Sequence, residues 1–373
     1  MKILLIALGI YSRLGGLEMY VRRVVRCLSE LKGEAVSETS VVSLWDEASH
    51  AIHVPPHVTF LPGYSAKLKT AACFLRQVQV MQPDVILYDH VMLCPLAVPA
   101  RAISRGSRQI LFVYGTEVWD KPEFRKVPTA ERLSVRRCID QVVSISDFTA
   151  VHMAKAFKLP SERFRLLPCA VDLNGTASQA GTAATPRRPG TLLTVSRMGL
   201  EDRYKGIDKV ILAMPLILAA FPQTWYVVVG DGALRPELMA LAARTGVASR
   251  VRFLGRVDDA HLQEAYASAD VFLMPSTGEG FGIVFLEAWK HRLPVICGNR
   301  DASAEVVTDG VNGLTVDPED SRAIAEAAIR LLSDRELAHS LGRQGLQTLL
   351  GRYTHERFRA RFGEILTERR PQC

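Results

Sequence analysis

The stretch VFLMPSTGEGFGIVFLEA, residues 271–288, reads as one strand–turn–helix unit. Val271–Met274 is an apolar run of strand length. Pro275-Ser276-Thr277 ends it, Gly278, Gly280 and Gly282 crowd Glu279, and an apolar helix start carries Glu287. Gly282 falls near the predicted helix start, where free N–H groups and the helix dipole attract anions. Helical side chains lean toward the N-terminus, so Glu287, about one turn in, points its carboxylate back at the glycine turn. A segment built only for packing has no use for acid at both ends. Glycine backbone approaches phosphate closely, and carboxylates bind hydroxyl pairs, so the stretch suits a sugar nucleotide. The plainer alternative is a capping loop with a solvated glutamate.

Working outward, apolar strand-like runs alternate with amphipathic helical stretches along the whole chain. That is the pattern of parallel sheets covered on both faces. In the first half the predicted strands are Ile3–Leu8, Val41–Trp45, Val85–Tyr88, Ile110–Tyr114 and Gln141–Ser144, with helices over Leu17–Leu31 and Ala66–Met81. Residues 174–190 (NGTASQAGTAATPRRPG) lose all periodicity and read as a linker. The alternation restarts with strands Thr191–Ser196, Trp225–Val229, Val251–Leu254, Val271–Met274 and Pro294–Cys297, interleaved with helices. Helices over Ser321–Ser333, Arg335–Leu350 and Thr354–Arg369 close the chain. The expected class is α/β, with two Rossmann-like doubly wound domains facing across a cleft. Residues 1–173 form the first, 174–190 the linker and 191–350 the second. A C-terminal helix in 351–373 is expected to pack back toward the first domain. Ligands of open α/β sheets sit beyond the strands' carboxyl ends, which puts the site in the cleft.

Bulk properties agree. A chain of 373 residues suits two cores, and 48% hydrophobic with 23% charged residues is ordinary globular composition. The apolar start Met1–Leu8 lacks a small-residue cleavage site and reads as a buried first strand. Seven cysteines show no CxxC pair and no metal-type spacing, which suggests reduced thiols in the cytoplasm. The net charge of +7 is uneven. Residues 1–173 hold 22 Lys/Arg against 16 Asp/Glu, an excess of six, whereas residues 174–373 hold 24 against 23. Such asymmetry points to an acidic partner for the first half. No nucleic-acid motif is present, which leaves an anionic membrane face.

Three further features bear on phosphate. Arg197 and Lys205 follow strand Thr191–Ser196 in a loop leading to a helix, where a diphosphate needs cations around it. Taken alone, two basic loop residues are as often merely solvated. Gly230-Asp231-Gly232 closes strand Trp225–Val229 and lets backbone approach a ligand, or simply makes a tight turn. Gly15-Gly16 precedes the first helix and is a candidate phosphate contact. It is not G-x-G-x-x-G, and no suitable acidic residue is evident about 20 positions on, so a dinucleotide fold is disfavoured.

Together these residues resemble the retaining glycosyltransferases of the GT-B fold, specifically family 4. The resemblance rests on Glu279-x7-Glu287 in its EGFG setting, Arg197…Lys205-Gly206, Gly230-Asp231-Gly232 and Gly15-Gly16. It also takes in Phe253–Val257, Ala269-Asp270 and Asp309-Gly310-Val311-Asn312-Gly313. It covers the whole chain and is strongest over 190–320. It implies that Arg197 and Lys205 hold the donor's diphosphate and balance charge on the leaving nucleotide. Backbone near Gly16 would touch the distal phosphate. Glu287 would bind the ribose and Glu279 the transferred sugar. Backbone at Arg256 and Val257 would face the base, and backbone at Gly280, Phe281, Gly282, Ile283 and Val284 would contact sugar and phosphate. Arg197, Lys205 and Glu279 are the catalytic candidates. No metal and no cofactor are expected, and there is no Asp-x-Asp site. Retention without an evident nucleophile implies front-face displacement through an oxocarbenium-like sugar.

The chain departs from the family pattern twice. Tyr114 stands in Val113-Tyr114-Gly115-Thr116-Glu117 where many relatives carry histidine, and His90 ends a neighbouring strand. Either is a candidate sugar contact, though a lone histidine is more often structural. Trp289-Lys290-His291-Arg292 replaces the small residues common in relatives. The function implied is transfer of a hexosyl unit from a UDP- or GDP-sugar to a saccharide or lipid-linked saccharide. Its setting would be cell-surface polysaccharide biosynthesis (exopolysaccharide, O-antigen or lipopolysaccharide). A sugar-nucleotide epimerase of similar architecture and a non-catalytic binding protein are the alternatives. Arg22, Arg23 and Arg26 on the first helix, and Lys67, Lys69 and Arg76 on Ala66–Met81, suggest peripheral attachment to an anionic inner membrane face. Core-facing helices with solvated basic faces explain them equally well.

Overall fold

The structure is a computed structural model that describes residues 1–12, 15–173 and 190–368. The chain forms two compact units: Met1–Cys169 with His355–Cys373, and Ala170–Thr354. Residues 174–189 of the predicted linker lie outside the described residues.

The first unit holds β1 (Lys2–Ala7), β2 (Glu38–Ser43), β3 (Val58–Pro62), β4 (Val85–Tyr88), β5 (Arg108–Val113), β6 (Gln141–Ser144) and β7 (Phe164–Leu166). They pair in the order β3-β2-β1-β4-β5-β6-β7, every pair parallel. Ile3–Ala7 of β1 are wholly buried, as a strand covered on both faces must be. β3 and β7 were not predicted. Both are half-exposed edge strands whose residues lack a continuous apolar run.

The C-terminal helix, His355–Thr367, belongs to this unit. The preceding helix, Arg335–Arg352, runs two residues beyond its predicted end at Leu350. The C-terminal helix is tied down by polar contacts at both ends. Arg108 Nη2 donates to the carbonyls of Ile365 and Leu366 at 2.8 and 2.6 Å. Arg23 Nη1 meets His355 Nδ1 at 3.0 Å, and His355 Nε2 meets Glu30 Oε2 at 2.7 Å. Arginine can only donate, so Nδ1 accepts and Nε2–H donates.

The second unit holds β8 (Thr191–Val195), β9 (Trp225–Val229), β10 (Val251–Gly255), β11 (Val271–Met274), β12 (Val295–Gly298) and β13 (Leu314–Val316). Their order is β10-β9-β8-β11-β12-β13, again all parallel. The order reverses between β8 and β11 here, and between β1 and β4 in the first unit. Each sheet therefore has its own switch point, with a crevice at its carboxyl edge. Among the described residues no helix is long and apolar enough to cross a membrane.

Candidate functional site

Most of the predicted residues come together on one edge. Neighbouring strands β10, β9, β8 and β11 each end in a loop that carries some of them. Arg256 and Val257 follow β10, Gly230 follows β9, Arg197 and Lys205 follow β8, and Glu279 to Glu287 follow β11. Four neighbouring strands span roughly 14 Å of sheet edge. The β8/β11 switch point lies within that span.

Two glycines let the loops close on one another. Gly206 has φ +76°, and a Cβ there would overlap the carbonyl of Pro275 in the β11 loop. Gly230 has φ +126°, and a Cβ there would overlap the carbonyl of Ser196. Both positions need a backbone that L side chains rarely adopt, so glycine is the physical solution. The Thr277 N–H donates to the Tyr204 carbonyl at 2.9 Å, completing the contact between the β8 and β11 loops.

Two cations on this edge are paired with acids. Lys205 Nζ binds Glu279 Oε1 in an enclosed ion pair, the two side chains only 15% and 10% exposed. Burial alone would push the Lys205 pKa down, but the Glu279 carboxylate and the Tyr204 hydroxyl group hold it above the usual lysine value. Lys205 is therefore a fixed cation across the physiological range. Its ammonium also lies 4.9 Å from the Tyr204 ring centroid. Arg197 is far more exposed and is steadied by buried Asp202, Nη2 to Oδ1 2.9 Å. The second oxygen of Asp202 accepts the Gly199 N–H at 3.1 Å.

Glu279 is also held by its backbone. Its N–H donates to Asp301 Oδ2 at 2.7 Å, and its carbonyl accepts from the Ala302 N–H at 3.2 Å. Asp301 also takes Ser276 Oγ at 2.7 Å and the Ser303 N–H at 2.9 Å. Burial raises the Asp301 carboxyl to about 6, despite these donors. Asp301 and Asp202 escaped the sequence reading. Each is an acid a few residues past a strand end, a signal too common to single out.

The helix Ile283–Lys290 starts at Gly282, which takes φ +88° at the N-cap. Its first turn supplies N–H groups with no intrahelical acceptor, beside the half-exposed Ile283 and Val284. Gly280 lies in the loop just before it, and Phe281 is buried edge-on against Tyr353, centroids 5.5 Å apart. Half-buried Glu287 accepts from Tyr266 Oη at 2.8 Å, and burial raises its carboxyl. The unexpected Trp289 has a packing reason. It is fully buried, its indole N–H donates to the Asn312 carbonyl at 3.1 Å, and Gly345 leaves room for its ring.

Gly16, His90 and Tyr114 lie in the first unit. Gly16 opens the helix Gly16–Glu30, just after N-cap Gly15; Arg13 and Leu14 lie outside the described residues. His90 follows β4, is buried, and its Nδ1 accepts the Met92 N–H at 3.2 Å. Burial lowers its pKa to about 4, so the ring is neutral at neutral pH. Tyr114 follows β5, with its ring against Tyr20 at 5.3 Å and its hydroxyl enclosed without a hydrogen bond. Burial pushes that hydroxyl well above the usual tyrosine value. Of the two basic helices, Gly16–Glu30 buries its apolar face and engages its arginines. Arg23 meets His355, Arg26 meets Glu30, and Arg22 Nε donates to the Ile10 carbonyl at 2.6 Å.

Sequence comparison decides the family. The family described as Glycosyl transferases group 1 matches residues 183–348, and Glycosyltransferase Family 4 matches residues 14–174. A GDP-mannose-dependent alpha-(1-6)-phosphatidylinositol monomannoside mannosyltransferase of Mycolicibacterium smegmatis is 33% identical over 288 residues, covering 71% of this chain and 72% of that one. The chain belongs to glycosyltransferase family 4. Another relative, the lipopolysaccharide core biosynthesis glycosyltransferase LpsE of Rhizobium meliloti, is 33% identical over 181 residues, 48% of this chain and 52% of LpsE. The fold matches that of Anabaena HepE, solved in complex with UDP and glucose, with TM-score 0.79 at 20% identity over 98% of this chain and 99% of that one. This family 4 chain is accordingly a GT-B glycosyltransferase, with two Rossmann-like parallel sheets.

Proposed function

We propose that this glycosyltransferase is a retaining, metal-independent enzyme. It moves a hexosyl unit from a nucleoside diphosphate sugar to a saccharide or lipid-linked saccharide of a cell-surface glycan. The observation that carries this reading is the four-loop edge of the second unit. It holds an enclosed lysine, an arginine, close-approach glycines and two glutamates at one switch point. Arg197, Lys205 and the N–H groups at Gly282–Val284 provide the positive field for a diphosphate. Glu287 takes the ribose hydroxyls, Glu279 the sugar, and backbone at Arg256 and Val257 the base. In the transfer the bond from the anomeric carbon to the leaving phosphate oxygen breaks. The acceptor oxygen bonds to that carbon on the same face, and its proton passes to the leaving phosphate. The two cations stabilise the charge gathering on that phosphate. In the first unit, Gly16 is proposed at the distal phosphate and Tyr114 or His90 at the sugar.

The mannosyltransferase relatives make GDP-mannose the first donor to test, with UDP-glucose beside it. Their glycolipid acceptors support a lipid-linked one here. The helix Lys67–Met81 supports attachment to an anionic membrane face. Leu68 and Val80 are 87% and 73% exposed, beside exposed Lys67, Lys69 and Arg76. The experiment is free-nucleotide release from a panel of nucleotide sugars, with and without membrane extract and with and without chelator. The anomeric configuration of the product is read by NMR. Extract-dependent release that survives chelation and leaves an unchanged anomer is expected. Sugar conversion without release would instead indicate an epimerase, and neither would indicate a binding protein.

A further inference from the structure

We infer that Tyr266 is the positioning residue of the donor site. Its hydroxyl fixes one oxygen of Glu287 so that the other faces the nucleotide's ribose. This rests on the reading of Glu287 as the ribose contact.

Tyr266 lies near the end of the helix Asp259–Ser268, just before β11, and its side chain is fully buried. Its hydroxyl donates to Glu287 Oε2 at 2.8 Å. A buried phenol needs a partner for its O–H, and here the partner is a carboxylate from another helix. Glu287 has three side-chain torsions, the last of which turns its carboxylate, and ordering them costs entropy. A donor on one oxygen meets that cost before the ligand arrives, which is preorganisation.

The phenol ring is itself packed between aromatic neighbours and its own helix. His291 stacks on it, centroids 5.5 Å apart and planes 9° apart, and Phe272 lies 6.0 Å away at 29°. His291 Nε2 meets Gln263 Oε1 at 2.9 Å, on the same helix as Tyr266. Full burial and these ring contacts hold the phenol against Glu287. The unusual His291 of this chain finds its use here, as the outer wall of the tyrosine slot. The carboxylate is held by a neutral donor, so it remains free to accept from a diol. A lysine or arginine in the same place would compete with the ribose for it.

The experiment compares binding of ribonucleotide and 2′-deoxyribonucleotide, UDP against dUDP and GDP against dGDP, by calorimetry. The proteins are wild type, Tyr266→Phe, Glu287→Ala and Tyr266→Phe/Glu287→Ala. Wild type should prefer the ribonucleotide. Tyr266→Phe should weaken ribonucleotide binding about tenfold and leave the deoxynucleotide nearly unchanged. It should raise KM for the nucleotide sugar more than it lowers kcat. In the Glu287→Ala background the phenylalanine change should have no further effect, since Tyr266 acts through Glu287. Equal weakening of both nucleotides by Tyr266→Phe would make the tyrosine merely structural and overturn the inference. So would a full ribose preference in Tyr266→Phe when Glu287→Ala has lost it. A preference that survives Glu287→Ala would overturn the ribose reading itself.

Discussion

The two sheets share an architecture but use their buried acids differently. At the carboxyl edge of the second unit, acids hold cations as well as backbone: Glu279 holds Lys205 and Asp202 holds Arg197, while Asp301 takes the Glu279 and Ser303 N–H groups. At the same edge of the first unit, acids hold backbone. Asp46 takes the N–H groups of Ile10, Tyr11 and Ser12 at 2.7, 2.9 and 2.6 Å. Asp89, wholly buried, takes the Leu8 N–H with both oxygens at 3.1 Å. The second edge keeps two cations in fixed places, whereas the first is laced to keep its own loops in shape. A diphosphate demands the same cations whatever sugar it carries.

The largest test of this contrast is Lys205→Ala. It removes the enclosed cation and leaves Glu279 buried without its partner. Nucleotide release should fall about a thousandfold, with a lower melting temperature as well. Unchanged turnover would mean that the edge's charge serves the fold, as in the first unit. Asp46→Ala comes next, from the other side. Three N–H groups and the Ser43 hydroxyl lose their acceptor. Urea titration should show a loss of roughly 3 kcal/mol, while nucleotide binding to the second unit's edge stays intact. A wild-type stability curve for Asp46→Ala would break the comparison.

The smallest effect concerns His90 and depends on pH. Its pKa is lowered from 6.5 to about 4 by burial. The unfolded chain then binds a proton below 6.5 that the folded chain refuses until about 4, so stability is present above 6.5 and lost as pH falls through that window. His90→Asn keeps an acceptor for the Met92 N–H and removes the titration. Its loss of stability between pH 7.5 and pH 5 should be smaller than wild type's by roughly 2 kcal/mol. Parallel urea midpoints for the two proteins would show that His90 is not held neutral.

The same contrast explains what the sequence revealed. β1, β4 and β11 were legible because strands buried on both faces must be continuously apolar. Arg197, Lys205, Glu279 and Glu287 were legible because glycines needed for close approach mark their loops. Edge strands β3, β7 and β13 were not, since short or half-exposed strands carry no such run. Tyr266, Asp202 and Asp301 stayed hidden because each acts through another residue, and spacing along the chain does not reveal a partner in space. In the basic first helix, charge along the chain does not tell that Arg23 turns inward to His355 while Arg26 pairs with Glu30 at the surface.

One connection has a consequence for synthesis. The chain enters the second unit at Ala170 and leaves it at Thr354, and there the Val171 N–H donates to the Tyr353 carbonyl at 2.9 Å. The helix that completes the first unit, His355–Thr367, comes after the whole of the second unit. On the ribosome, the second unit therefore has all its strands while the first still lacks its last helix. Until Phe358, Phe362 and Leu366 emerge, the first unit keeps exposed the apolar surface they bury. The half that is made first is the half that finishes last, and a truncation at the C-terminus would be felt in the sheet that begins at residue 2.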